Sequence, residues 1–169
     1  MTNAFRRAAL AGSFLAAVSA APAFAANSTA TSTLDVSANV TSNCSVSTTP
    51  LAFGNVDVTT GAAVDGTGGL NVTCTNGTGW VATADQGAGT GADLVTRKMS
   101  SGGNLLSYRL FTDSDQSTIW GDGADATGML GDIGSGSAQS KTIYGRVLAG
   151  QNGAPAGAYA DTVTVTVTY

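Results

Sequence analysis

The sequence predicts an all-β fold, a sandwich or barrel held by one disulfide. Three observations carry this. Short runs of alternating apolar and polar residues recur along the chain, separated by clusters of Gly, Asp and Ser. Thr, Val, Gly and Ser abound, strong helix formers are scarce, and no window after Ala25 has helical periodicity. Two cysteines, Cys44 and Cys74, stand in a chain that opens with an export signal, where an even pair normally closes one bridge.

That signal is the first element. Residues 1–7 carry Arg6 and Arg7, residues 8–18 are apolar, and "APAFA" supplies small residues up to a predicted cleavage after Ala25. The run is too short for a stable anchor, and no other apolar run approaches membrane length, so no membrane span is expected. Removing 25 of the 169 residues leaves 144, enough for one domain with a hydrophobic core. Losing Arg6 and Arg7 takes the net charge from −4 to −6. All eleven acids are aspartate, and the acidic balance argues against nucleic acid or an anionic membrane as partner.

The strands are then read in order. "LDVSANV" puts Leu34, Val36, Ala38 and Val40 on one face and Asp35, Ser37 and Asn39 on the other. "NCSVSTTPLAFGNVDV" carries Cys44 and Val46 and turns at Pro50. "GGLNVTCT" alternates Leu70, Val72 and Cys74, and "GWVATADQG" alternates Trp80, Ala82 and Ala84. "LVTRKM" is short, "NLLSYRLFTD" aligns Leu106, Tyr108 and Leu110, and "STIWGDG" is a brief strand and turn. "KTIYGRVLAG" aligns Ile143 and Val147 about Gly145. The chain closes on "DTVTVTVTY", with Val163, Val165, Val167 and Tyr169 in phase. "QGAGTGAD", "SSGGN" and "GDGADATGMLGDIGSGS" read as turns and surface loops.

No catalytic constellation emerges. The chain has no histidine, which removes Ser-His-Asp and Cys-His sites and makes zinc chemistry untenable. Asp113 with Asp115, and Asp122 with Asp125, lie in polar turns where carboxylates stay solvated. "DSDQSTIWGDGA" begins like a calcium loop but lacks the required glycine and terminal acid. "GAGTGA" imitates a dinucleotide fingerprint without the helix that would follow it. Trp80, Trp120, Tyr108 and Tyr144 could form a sugar platform, although aromatics on strands are more often core. Arg109 and Arg146 read as an outward charged face. The expectation is a non-enzyme without cofactor or metal.

The phrases "NCSV", "PLAFG", "VTC", "TRKM", "NLLSYRLFTD", "WGDG", "IYGRV" and "GAYADTVTVTVTY" occur in an order and spacing that resembles the spore coat protein U domain family, the subunits of archaic chaperone–usher pili. The likeness runs from about residue 33 to the end. It implies an incomplete immunoglobulin-like sandwich of six strands plus a donated seventh, with Cys44 and Cys74 as the family's cysteine pair. It also implies a periplasmic chaperone, an outer-membrane usher, and neighbouring pilin subunits joined head to tail in a surface pilus that supports adhesion and biofilm formation. The resulting division is residues 1–25 as signal peptide, 26–37 as donor-strand extension and 38–169 as pilin domain.

The residues support strand exchange independently. The last strand lacks proline, lysine and glycine, the usual devices that blunt an open edge, and its inward face is wholly apolar or aromatic. "TSTLDVSANV" has strand chemistry, yet no turn signal would fold it back as a hairpin. Leu34, Val36, Ala38 and Val40 are therefore the predicted donor residues, with Leu34 and Val36 as the deepest anchors. Val163, Val165, Val167 and Tyr169 are the predicted edge of the acceptor groove. Two alternatives remain open: a spore or cyst coat protein of the same fold, and a monomeric secreted carbohydrate-binding sandwich using Trp80 or Trp120.

Overall fold

A computed structural model describes residues 26–169; the predicted signal sequence lies outside the described residues. The chain divides after Ala38, and the larger unit spans Asn39–Tyr169. Eight strands are present among the described residues: β1 (Cys44–Thr49), β2 (Val64–Cys74), β3 (Gly79–Ala84), β4 (Arg97–Ser101), β5 (Asn104–Phe111), β6 (Leu130–Ile133), β7 (Gln139–Val147) and β8 (Val165–Thr168). The one helical element described is a 3-10 turn at Val58–Thr60, capped by Asp57.

The strands form two antiparallel sheets, β1-β2-β7-β5-β4 and β6-β3-β8. Period-two alternation produces this arrangement, because each strand can hide only the face that carries its apolar residues. Leu70, Val72 and Cys74 of β2, Leu106, Tyr108 and Leu110 of β5, and Ile143 and Val147 of β7 pack inward from the larger sheet. Trp80, Ala82 and Ala84 of β3 meet them from the smaller one. Cys44 and Cys74 face each other in the β1–β2 register and are joined, as the cysteine pair predicted. The result is a disulfide-bonded, immunoglobulin-like sandwich.

The strand inventory differs from the sequence reading in four places. "LDVSANV" forms no strand: residues 26–43 are exposed throughout, and an alternating pattern makes a strand only where a partner supplies hydrogen bonds. "STIWGDG" makes only isolated bridges, Phe111 to Ile119 and Trp120 to Gly128, while the Trp120 ring is buried in the core. Conversely β6 arises inside a predicted loop, where β3 offers a free edge and the Lys141–Asp132 ion pair, at 2.8 Å, ties β6 to β7. The closing strand pairs only from Val165, although half-buried and exposed residues alternate from Asp161 onward.

Glycines decide how the chain after β1 lies. A Cβ at Gly68 would sit 2.9 Å from Leu51 Cβ and 3.1 Å from Thr49 O. One at Gly145 would meet Leu51 Cδ1 at 2.8 Å. Bare backbone at these two points lets the segment carrying Leu51 and Phe53 lie directly on the larger sheet.

Candidate functional site, an open groove beside the last strand

Among the described residues both β1 and β8 are outermost in their sheets; β1 pairs only with β2, and β8 only with β3. Between them the sandwich is open, leaving a groove of about 1350 Å³. Leu106, Tyr108, Leu110, Trp120 and Ile143 form its floor. Leu51, Phe53, Val56 and Val58 form one wall, and Tyr159, Val163 and Val165 the other. These are core-type side chains, so the groove is a hydrophobic interior with one side missing.

Hydrogen bonds hold the second wall in place. Asp161 Oδ2 accepts from the Tyr108 hydroxyl at 2.6 Å, while its Oδ1 accepts from the Ala88 and Thr162 amides, each at 2.8 Å. Asp85 N donates to Thr164 O at 3.0 Å, and Thr164 N donates to Asp85 Oδ1 at 2.9 Å. Ala160 bridges Ser100 of β4 in both directions, so the segment before β8 also covers the edge of the larger sheet. Phe53 meets Tyr108 edge to face with centroids 6.0 Å apart, linking the first wall to the floor.

Beneath this wall Arg97 is completely buried. Its guanidinium donates to four carbonyls: Asp85 O at 2.8 Å, Leu94 O at 3.0 Å, Ala84 O at 3.2 Å and Trp120 O at 2.8 Å. Desolvation pulls its pKa below the ordinary arginine value, while Tyr108 and the neighbouring aspartates oppose that shift. Burial, together with the bond to Asp161, pushes the Tyr108 hydroxyl far above the usual phenol range, so it stays a donor. At Asp85 burial acts upward, but the Thr164 and Gly87 hydrogen bonds and Arg97 outweigh it and hold the carboxyl below its ordinary value.

The predicted edge residues divide. Val163 and Val165 line the groove. Val167 is half-buried against the core, and Tyr169 is exposed with its hydroxyl 3.4 Å from Asn43 Oδ1. Leu34, Val36, Ala38 and Val40 are all exposed and belong to no strand. The wall from Leu51 to Val58 escaped sequence reading, which took Pro50 as a turn; the signal was the spacing Leu51, Phe53, then Val56, Val58 after a break at Gly54. Arg97 and the Tyr108–Asp161 pair were missed as well.

The sugar platform is corrected. Trp80 and Trp120 are each 2% exposed. Their indole N–H groups are taken by Gln139 Oε1 and Ala82 O, both at 3.1 Å. Neither presents a ring face for a sugar to stack on. The aspartates of the calcium-like loop do turn chemistry: Asp113 accepts from the Ser117 and Thr118 amides, and Asp122 from that of Ala124. Arg146 pairs with Asp65 at 2.6 Å on the outer face of β7 and β2.

The sequence profile of the Spore Coat Protein U domain matches residues 30–166. The chain belongs to that family. The Spore Coat Protein U match takes in Leu34 and Val36 as well as both groove walls. The chain is similar to Protein U of Myxococcus xanthus, 38% identical over 175 residues that cover 92% of this chain and 96% of that protein. Its fold resembles that of a chain in the crystal structure of the CsuC–CsuE chaperone–tip adhesion subunit pre-assembly complex from archaic chaperone-usher Csu pili of Acinetobacter baumannii. The TM-score there is 0.58 at 20% identity, covering 77% of this chain, and this chain spans 40% of that one.

Proposed function

We propose that this Spore Coat Protein U domain protein is a structural subunit of a surface pilus, without catalytic activity, polymerised by strand donation. The observation that carries the proposal is the open apolar groove flanked by the unpaired edge of β8. A hydrophobic interior with an open side invites an extended segment that adds main-chain bonds to the edge and side chains to the groove. The exposed alternating face of Leu34, Val36, Ala38 and Val40 supplies such a segment from a second copy. A head-to-tail junction of this kind is heterologous and propagates as an open filament.

In this reading residues 1–25 direct export, a periplasmic chaperone fills the groove first, and an outer-membrane usher exchanges it for the next subunit's strand. The likeness to a subunit crystallised with its chaperone supports the chaperone step. Surface adhesion and biofilm formation are the expected roles of the assembled fibre. The match to Protein U and the family's name favour a second reading, a coat layer built through the same groove.

The deciding experiment is export of the full chain in a host with the cognate chaperone, followed by denaturing gels of boiled and unboiled samples. A ladder of heat-sensitive multimers is expected. A stable, solitary monomer whose leading residues are dispensable would overturn the reading. Immunogold labelling then separates fibres from a continuous coat.

A further inference from the structure

The backbone just before β1 is held by a single turn. Thr75 N donates to Asn43 O at 2.9 Å, and Asn43 N donates to Thr75 Oγ1 at 3.1 Å. The Thr75 hydroxyl shares its one proton between Thr41 O and Asn43 O, each 3.3 Å away. Thr78 Oγ1 donates to Ser42 Oγ at 3.2 Å. The turn is itself braced, with Gly77 N donating to Gly134 O at 2.8 Å and Gly134 N to Thr78 O at 2.7 Å. Residues 41–43 are nevertheless exposed, so this fixation adds nothing to the core.

Its consequence lies in chain direction. Tyr169, the end of the open edge, reaches Asn43, so this junction sits at the end of β8. β8 runs toward that end, because it is antiparallel to β3, which starts there just after the turn. β1 runs away from it, antiparallel to β2. For residues 34–40 to lie along β8 of their own domain, the chain would have to reverse within Thr41, Ser42 and Asn43. None of these is glycine, and the reversal would break the bonds to Thr75 and Thr78.

The competition makes such a restraint matter. A donor tethered to its own groove acts at an effective concentration of about millimolar, well above that of free subunits. We infer that the turn carrying Thr75 and Thr78 is a clamp that denies the leading segment its own groove and reserves that segment for a second copy of the chain. This rests on the reading that the groove takes a donated strand.

The test compares the full exported wild type with Thr75→Val/Thr78→Val, and with a variant carrying a short Gly-Ser insertion between Val40 and Thr41. The insertion leaves both threonines intact but supplies the missing reversal. Expected is a several-fold rise in monomer that resists unboiled detergent and protects residues 34–40 from protease, with a matching loss of multimers. If the valine pair fails to fold, the insertion decides alone. Unchanged multimers that still vanish with Leu34→Asp would overturn the clamp and leave strand donation standing. Multimers indifferent to Leu34→Asp would overturn strand donation itself.

Discussion

Replacing Leu34 by aspartate tests the proposed donation step. Leu34 is 88% exposed in the free chain and belongs to no strand, so the folded unit loses nothing. On the proposed strand-donation reading, the same side chain would enter the apolar groove whose floor is Leu106, Leu110 and Ile143 in a filament. The change forfeits about 2–3 kcal/mol of leucine burial. Driving an unpaired carboxylate into that environment adds roughly 2 kcal/mol or more. At about 1.4 kcal/mol per factor of ten, each junction weakens by roughly a thousandfold. On an unboiled gel the ladder should collapse to monomer while chaperone-bound subunit is recovered as before. Val165→Asp is the companion. Val165 is half-buried in the groove wall, so both chaperone recovery and assembly should fall. An intact ladder from Leu34→Asp refutes the donor assignment, and normal chaperone capture of Val165→Asp refutes the shared groove.

Arg97→Leu strips four carbonyls of their donor, and a loss of roughly 3–5 kcal/mol is expected in denaturant titration; a near-neutral result would mean water enters behind β4. Cys44→Ser with Cys74→Ser reopens a loop with a sequence separation of 30, and should lower stability by about 3–4 kcal/mol in chemical unfolding under non-reducing conditions. The depressed Asp85 carboxyl contributes stability that is complete above its ordinary value of 3.8 and is lost as pH falls through its lower folded value. Tryptophan fluorescence should therefore report acid unfolding below about pH 4, and Asp85→Asn should flatten that limb.

Strand positions with strict alternation were legible where a neighbouring strand supplies hydrogen bonds, because burial there follows the two-residue period directly; Leu34 to Val40 alternate as strictly and form no strand. Leu70, Val72 and Cys74, and likewise Trp80, Ala82 and Ala84, lie inward as their spacing demands. β6 was not legible, since Gly131 and Asp132 carry no apolar signal and the strand exists only because β3 offers an edge. Arg97 reads locally as one cation beside Lys98, yet its carbonyl partners come from three segments up to 23 residues away. The groove's second wall was visible in Val163 and Val165. Its first wall was hidden, because Leu51 is seated by glycines at 68 and 145 that no local pattern connects to it.

The bond between Cys44 and Cys74 also sets how the domain carries tension. A pull arriving through residues 39–43 loads the bonds that tie Thr41, Ser42 and Asn43 to the turn at Thr75 and Thr78 and then Cys44, before any hydrogen bond of β1 bears it. The sulfurs hand the load to β2, which is laced on both flanks by β1 and β7. An outermost strand would bear the load on one flank alone. Here the force goes to an interior strand, whose rungs on two flanks share it.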